Sequence, residues 1–187
     1  EPEIIINCID WRHLEDGISK QEALEILKQH HSQKSTSEER LKETGVKAYS
    51  TAGWLGLTDD QILDKINKMK EDGFDAFKLK VGQDLDFDKT RIQFIRNAIG
   101  LEAKLMVDAN QFWGVDEAIT YMTELADFDI TWIEEPTARD DVMGFKRISE
   151  ALNPLGLKVA AGEQIQSPVI FKQMISSGAI QFAQIDA

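Results

Sequence analysis

The chain has 187 residues, of which 42% are hydrophobic, and this is enough for one substantial domain with a core. Its 33 acidic and 21 basic residues give a net charge of -12, which disfavours nucleic acid and anionic membranes as partners. The single cysteine, Cys8, excludes an internal disulfide bond, and the apolar run at 4–6 is too short to cross a membrane. We therefore expect a soluble intracellular protein.

The first 45 residues differ in pattern from the rest of the chain and carry no recognisable chemistry. Ser19 followed by Glu22 is a capping box, which predicts the start of a helix. Ser35 and Glu38 have the same spacing and predict a second box, which would open a short exposed helix. We expect a small helical unit over this stretch.

From residue 46 onward, predicted strands alternate with predicted helices, which indicates parallel βαβ units. Short, largely apolar runs between the predicted helices predict strands at 46–51, 74–81, 104–108, 130–134, 159–162 and 180–185. Capping residues and helical spacing of apolar residues predict helices that begin near positions 58, 88, 116, 142 and 168. The fold class is therefore α/β with a parallel sheet.

The predicted strand 74–81 places Lys78 and Lys80 on one face, because successive side chains in a strand point to opposite faces. On an inner face, burial and mutual repulsion would lower a lysine pKa, which is how a lysine becomes a base near neutral pH. On an edge strand the same two lysines would be solvated, and the strand alone favours that alternative. The residues that end the other strands favour the inner face.

Charged residues stand at or just after the carboxyl ends of five successive predicted strands, roughly 23 to 29 residues apart. They are Lys80, Asp108, Glu134, Glu163 and Asp186. Any one of these acids alone is more simply a solvated loop residue or a helix cap. In a (β/α)₈ barrel, however, these strand ends form the active-site mouth. Three carboxylates there would repel one another unless a hard dication held them, and Mg²⁺ fits an oxygen donor set with positions left for substrate.

Residues beside this set have simpler interpretations. Glu135 adjoins Glu134 but should point to the opposite face, so we interpret it as structural. Asn110 either reaches the site or forms an Asx turn, and the sequence does not decide between the two. Trp132 and Trp113 are more typical of core or pocket wall than of catalysis.

Five short motifs together resemble the enolase superfamily, in its mandelate-racemase-like subgroup. They are Lys78-Leu79-Lys80, Val107-Asp108-Ala109-Asn110, Trp132-Ile133-Glu134-Glu135-Pro136, Gly162-Glu163 and Gln184-Ile185-Asp186. Further stretches resemble the sugar-acid dehydratases of that subgroup. They are Gly53-Trp54-Leu55-Gly56, the run at 127–130 and Val169-Ile170-Phe171-Lys172-Gln173. The resemblance covers nearly the whole chain and implies a partial enolase-type (β/α)-barrel over 46–187, with about six of eight strands. Residues 1–45 would then be the tail of an N-terminal capping domain.

The resemblance also implies the roles of the charged residues. Asp108, Glu134 and Glu163 would bind Mg²⁺. Lys80 would remove the proton α to the substrate carboxylate, with Lys78 as electrostatic support, and the metal would stabilise the resulting enediolate. The substrate implied is L-fuconate, which would be dehydrated to 2-keto-3-deoxy-L-fuconate.

Three further residues receive roles by the same resemblance. Asp186 resembles the aspartate of a His-Asp dyad whose histidine follows on the next strand, and Asn110 and Trp54, together with Lys78, would contact the substrate. All three histidines of this chain lie before residue 46, so the dyad histidine is not among them. The loop at 164–168 ends in Ser167-Pro168, where the family usually has asparagine-arginine, so substrate contacts from this loop do not follow from the resemblance.

These departures lead us to expect an incomplete fragment of the enzyme, inactive alone, whose full-length form is a possible homo-oligomer. The parent protein would be mitochondrial by the resemblance, with a cytoplasmic location as the alternative. Alternatives for the function are a related sugar-acid dehydratase or racemase of the same superfamily, or a truncated product without catalysis.

Overall fold

The computed structural model describes residues 1–185, which fall into two compact units, Glu1–Lys47 and a second unit that begins at Ala48. The first unit contains three helices: α1 (Pro2–Cys8), α2 (Lys20–Ser32) and α3 (Lys34–Thr44). The predicted capping box of Ser19 and Glu22 is confirmed at the start of α2. The predicted box of Ser35 and Glu38 is wrong, because α3 already begins at Lys34 and no side chain caps it. The sequence did not predict α1.

The second unit alternates strands and helices along its whole described length, as predicted. The elements in chain order are β1 (Ser50–Gly53), α4 (Asp59–Glu71), β2 (Ala76–Lys80), α5 (Leu85–Ile99), β3 (Lys104–Asp108), α6 (Val115–Glu124), β4 (Ile130–Glu134), α7 (Val142–Leu152), β5 (Lys158–Ala161), α8 (Pro168–Ser176) and β6 (Phe182–Ala183). The six strands form one sheet in chain order, and each strand pairs parallel with the next.

Side chains that cap the first turn account for the starts of α4 and α5. Thr58 and Gln61 form the predicted capping box before α4. Helix α5 begins three residues earlier than predicted, because Asp84 accepts a hydrogen bond from the Phe87 amide and caps it there. With 15 residues it is also the longest helix, and no helix within residues 1–185 combines the length and apolar composition needed to span a bilayer.

The core lies between the sheet and its helices. On β2, Phe77 and Leu79 are buried with apolar residues of α4 and α5, including Ile66 and Ile95. Burial of such side chains contributes about 1.5 to 3 kcal/mol each. Because side chains alternate along a strand, this packing leaves Lys78 and Lys80 on the other face of the sheet. The strand register is therefore what positions the charged residues.

Gly162, which follows β5, is required by close backbone contact as well as by its conformation. Its φ of 150° is unfavourable for other residues, and a Cβ atom there would overlap the main chain of Gln184 beside β6. Gly156 has a φ of 84°, but a Cβ atom would meet open space. A comparison of alanine substitutions at the two glycines therefore separates the cost of backbone strain from the cost of steric overlap.

We expect Gly162→Ala to lower the free energy of unfolding by about 3 kcal/mol, because strain and overlap add. The matched control Gly156→Ala should cost only about 1 kcal/mol, since it carries strain alone. Urea unfolding followed by circular dichroism measures both. Equal losses in the two variants would show that β5 and β6 do not approach as closely as described.

Candidate active site

The two lysines of β2 lie at one end of a row of charged residues that crosses the sheet. In the strand register, Lys80 is the partner of Asp108 on β3, and Asp108 is the partner of Glu134 on β4. The side chain of Lys78 is 6% exposed and that of Lys80 is 12% exposed. The solvated alternative for the lysines is therefore wrong, and the predicted inner-face arrangement holds.

Asp108 is fully buried and contacts both lysines. Its Oδ2 accepts a hydrogen bond from Lys80 Nζ at 2.5 Å and lies 3.2 Å from Lys78 Nζ, while its Oδ1 accepts from the Asn110 amide at 2.9 Å. Burial alone would raise the pKa of Asp108, but the hydrogen bond from Lys80 and the charge of Lys78 hold it below its ordinary value. Asp108 is thus an ionised carboxylate with cations on one side.

Glu134 is also fully buried, and its two oxygens differ. Oε1 accepts a hydrogen bond from Lys78 Nζ at 2.6 Å. Oε2 is buried and has no hydrogen-bond partner of good geometry among residues 1–185, although the Gln184 side chain is close enough to lower the pKa of Glu134. Burial raises the pKa of Glu134 above its ordinary value, and the Asp108 carboxylate adds to this, while Lys78 opposes it. A buried carboxylate oxygen without a donor is costly, which indicates that a further cation belongs beside it.

Lys78 behaves differently from the prediction. Burial alone would lower its pKa, but hydrogen bonding to Glu134 and the charge of Asp108 outweigh burial and raise the pKa of Lys78 above its ordinary value. The prediction of lowered pKa values for the lysine pair considered the lysines alone, so for Lys78 it was wrong. Lys78 is therefore a permanent positive charge rather than a base.

The third predicted metal ligand, Glu163, is exposed in the turn that follows β5. Within the described residues, no three His, Cys, Asp or Glu side chains come close enough together to hold a metal ion. The structure thus brings Asp108 and Glu134 together but leaves Glu163 apart from them. The donor chemistry nevertheless fits Mg²⁺, because two adjacent buried carboxylates include an oxygen that lacks a well-formed hydrogen bond within residues 1–185. The role of Glu163 stays a prediction.

Two of the three predicted substrate contacts, Asn110 and Trp54, lie at Lys80, and the third is Lys78 itself. Asn110 Oδ1 accepts a hydrogen bond from Lys80 Nζ at 2.7 Å, so the Asn110 side chain reaches the site, while its contact with substrate stays a prediction. The ring of Trp54, which is half exposed, lies over Lys80 with its centroid 5.1 Å from Nζ. Asp186, the third predicted catalytic residue, lies outside the described residues.

Sequence reasoning missed the support for Asn110. Asn110 and Gln111 have φ values of 45° and 64°, and Glu135 has a φ of 43°. This conformation ends the strand alternation at Glu134, so the argument that Glu135 faces the opposite side of the sheet does not apply. Instead, buried Glu135 accepts from Gln111 Nε2 at 3.3 Å, and its carbonyl accepts from the Gln111 amide at 2.7 Å. Strained residues often cluster at functional sites, and here they hold the turn that carries Asn110.

An aromatic residue near the lysines was also missed. The Tyr49 ring lies 5.4 Å from Lys78 Nζ and packs edge-on against Trp132, which in turn packs against Phe182. Trp132 thus packs among aromatic residues near Lys78, while Trp113 is buried in the core, as interpreted from sequence. Tyr49 lies just before β1, and no local pattern around it predicts this contact.

Comparison with known proteins places this arrangement in a family. The family model described as Enolase C-terminal domain-like matches residues 61–187. Mitochondrial enolase superfamily member 1 of Homo sapiens is 45% identical over 188 residues, which cover all of this chain and 42% of that protein. The crystal structure of the human protein matches with a TM-score of 0.95 and the same coverage.

Enzymes with printed sugar-acid activities are also similar. L-galactonate dehydratase of Hypocrea jecorina is 43% identical over 190 residues, which cover 100% of this chain and 42% of that enzyme. The crystal structure of L-talarate dehydratase from Polaromonas sp. JS666, complexed with Mg and L-glucarate, matches with a TM-score of 0.70 and 31% identity. It covers 76% of this chain and 40% of that one.

The chain spans 42% of the length of the curated relatives described above. The matches confirm the predicted enolase-type barrel architecture, of which the described structure contains six parallel strands. They also confirm the family that the motifs around Lys80, Asp108 and Glu134 indicated. The chain therefore belongs to the enolase superfamily, and its relatives in that superfamily include sugar-acid dehydratases.

Proposed function

We propose that the protein that carries this chain is an Mg²⁺-dependent dehydratase of sugar acids, which converts L-fuconate to 2-keto-3-deoxy-L-fuconate. The observation that supports it most is the position of Lys80. Its Nζ is held by Asp108 and Asn110 at the carboxyl end of β2, beside two buried carboxylates, one of which has an oxygen without a well-formed hydrogen bond in the described part of the chain. An amine beside a cation site is the arrangement that removal of a proton α to a carboxylate requires.

In this proposal Lys80 takes the proton from C2 of the substrate, and the electron pair of that C–H bond moves toward the substrate carboxylate. A base must present its lone pair to the C2 proton, whereas Lys80 Nζ is held against Asp108 and Asn110 in the structure, so Lys80 must leave at least its contact with Asp108 to reach the substrate. If Asp108 served as a ligand of the metal, its contact with Lys80 would be lost. Mg²⁺ bound by Asp108, Glu134 and Glu163 would supply positive charge where the substrate carboxylate becomes more negative.

Two other side chains, Lys78 and Trp54, prepare the site for removal of the proton. Lys78 stays charged between Asp108 and Glu134 and adds fixed positive charge, which is worth more in a buried site than in water. The Trp54 ring covers Lys80 and limits its contact with water.

In the second step the bond from C3 to its hydroxyl breaks with a proton added to the leaving oxygen, and the enol product tautomerises to the 2-keto acid. A dyad of Asp186 and a histidine would donate that proton.

A related substrate is the second candidate, because L-galactonate dehydratase of Hypocrea jecorina is 43% identical over all of this chain. L-galactonate and L-fuconate are both sugar acids with a proton at C2 and a hydroxyl at C3, so the same residues would serve both. Which of the two acids is preferred depends on groups that contact the far end of the sugar. A racemase of the same superfamily would return the proton to C2 instead of losing water.

The test is a panel of sugar acids incubated with the protein and Mg²⁺ and followed by NMR. We expect L-fuconate to give a 2-keto-3-deoxy acid with the highest kcat/KM of the panel. A higher value for L-galactonate would contradict the substrate and keep the reaction. Exchange of the C2 proton with solvent deuterium without loss of water would support the racemase alternative. If folded, Mg²⁺-supplied protein turns over no acid of the panel, the proposal is wrong.

A further inference from the structure

A buried arginine on α5 binds the main chain at the carboxyl ends of two strands. Arg91 is 6% exposed. Its Nη1 donates to the Lys80 carbonyl at 2.9 Å, and its Nη2 donates to the carbonyls of Gly53 at 3.2 Å and Trp54 at 3.0 Å. One guanidinium therefore links Lys80, the last residue of β2, to Gly53 and Trp54 at the end of β1.

Asp88, one helical turn earlier, supports this arginine. It is fully buried, and its Oδ1 lies 3.8 Å from Arg91 Nη1. Its Oδ2 accepts hydrogen bonds from the Gly82 amide at 2.7 Å and from the Tyr121 hydroxyl at 2.8 Å. The loop that follows Lys80 is therefore attached to the same charged pair that holds the Lys80 carbonyl.

This pair is expensive to bury. Burial lowers the pKa of Arg91 and raises the pKa of Asp88, so neither charge gains from leaving water. A buried ion pair is weak evidence of a stabilising role, since apolar residues of similar volume often replace such pairs without loss when both partners are exchanged. The position of the carbonyl acceptors suggests another reason for its presence.

A second arginine on the same helix provides the comparison. Arg96 is equally buried and donates to the carbonyls of Gly100, Ala103, Phe128 and Asp129. These acceptors lie at the opposite end of the sheet, before β3 and β4 begin. Both arginines satisfy main-chain carbonyls, but only Arg91 binds Lys80 and Trp54, whose ring lies over the Lys80 amine.

We propose that Arg91 is a positioning residue that fixes the main chain of Lys80 and Trp54 so that the indole stays over the Lys80 amine. Its effect on turnover rests on the proposed dehydratase function, whereas its effect on the geometry of Lys80 does not. Arg91 touches no reacting atom in this account. It acts through the two residues whose carbonyls it binds.

The geometric part is tested by labelling lysine amines with formaldehyde and borohydride and reading each site by mass spectrometry. In Arg91→Met we expect the Lys80 labelling rate to rise at least about threefold, because the indole no longer covers the amine. Arg91→Lys should restore part of the protection. Arg96→Met, the matched control, should lower the melting temperature similarly and leave the Lys80 rate unchanged.

An unchanged Lys80 rate in Arg91→Met, or an equal rise in Arg96→Met, would overturn the proposal, because the arginine would then be merely structural. If Arg91→Met does not fold, the Lys80 labelling rate of Arg91→Lys is compared with that of Arg96→Lys instead. Equal rates in these two variants would overturn the proposal. Trp54→Ala gives an independent check, since it should expose Lys80 to the same extent without loss of melting temperature; protection retained in this variant would also contradict the proposal.

Turnover provides the second readout. With a substrate that the wild-type protein converts, Arg91→Met should reduce kcat about 10- to 100-fold with little change in KM, as expected when a base is misplaced rather than when binding is lost. Arg96→Met should leave kcat unchanged at a temperature where it is folded. A wild-type protein without dehydratase activity would contradict the proposed function, but the labelling difference would still decide the role of Arg91.

Discussion

Replacing Lys80 with alanine should lower kcat/KM for L-fuconate about 10³-fold, because a positioned general base contributes 10²- to 10⁴-fold to proton abstraction. The fold should persist, since Lys78 remains 3.2 Å from Asp108 and continues to compensate its buried charge. Steady-state kinetics measured beside a thermal melt separate the two effects. A loss in kcat with an unchanged melting temperature is the expected pattern.

The matched control for this variant is Lys104→Ala. Lys104 begins β3 at the opposite end from Asp108, and it is exposed. Its removal should leave kcat/KM unchanged, since exposed substitutions away from special features have small effects. Activity that survives in Lys80→Ala, or falls equally in the two variants, would exclude Lys80 as the base.

Replacing Glu134 with glutamine should remove most Mg²⁺ binding. An amide keeps an acceptor oxygen for Lys78 but loses the negative charge at the oxygen that has no partner among the described residues. We expect the affinity for Mg²⁺ to fall by at least roughly 100-fold, because even the hydrogen-bond partners of metal ligands contribute 10- to 100-fold. Isothermal titration with Mg²⁺ measures the change directly.

Glu150→Gln is the control for this change. Glu150 lies on α7, is exposed and pairs only with Lys146, at 3.8 Å, among the ion pairs described. Its Mg²⁺ affinity should equal that of the wild-type protein. If Glu134→Gln binds Mg²⁺ as well as the control does, the buried carboxylate pair does not form the cation site.

Much of the fold is predictable from the sequence because its signals are local. Strands β3 and β4 occupy the predicted residues, since each is a short, mostly apolar run that ends in a carboxylate. Strand β1 begins at Ser50 rather than at position 46, where Val46 is highly exposed and precedes the end of the first unit at Lys47. Residues 46–49 have a strand-like composition but lie outside the β1–β2 pairing, and composition alone does not report that.

The candidate site is predictable only in part. The spacing of strand ends indicated that Lys80, Asp108 and Glu134 converge, and the register brings them side by side. The pKa direction of Lys78 was missed because it depends on carboxylates from two other strands. Arg91 was missed because its acceptors are main-chain carbonyls 11 to 38 residues away, and carbonyl positions leave no mark in the sequence.

The most direct test of a cation site at Asp108 and Glu134 is a crystal of the protein soaked with Mn²⁺ and measured for anomalous scattering. We expect a single strong peak at coordination distance, about 2.0 to 2.2 Å, from carboxylate oxygens of both residues, with the Lys80 amine turned away from Asp108. A saturating soak that gives no peak there, or a peak bound by other residues, would contradict it.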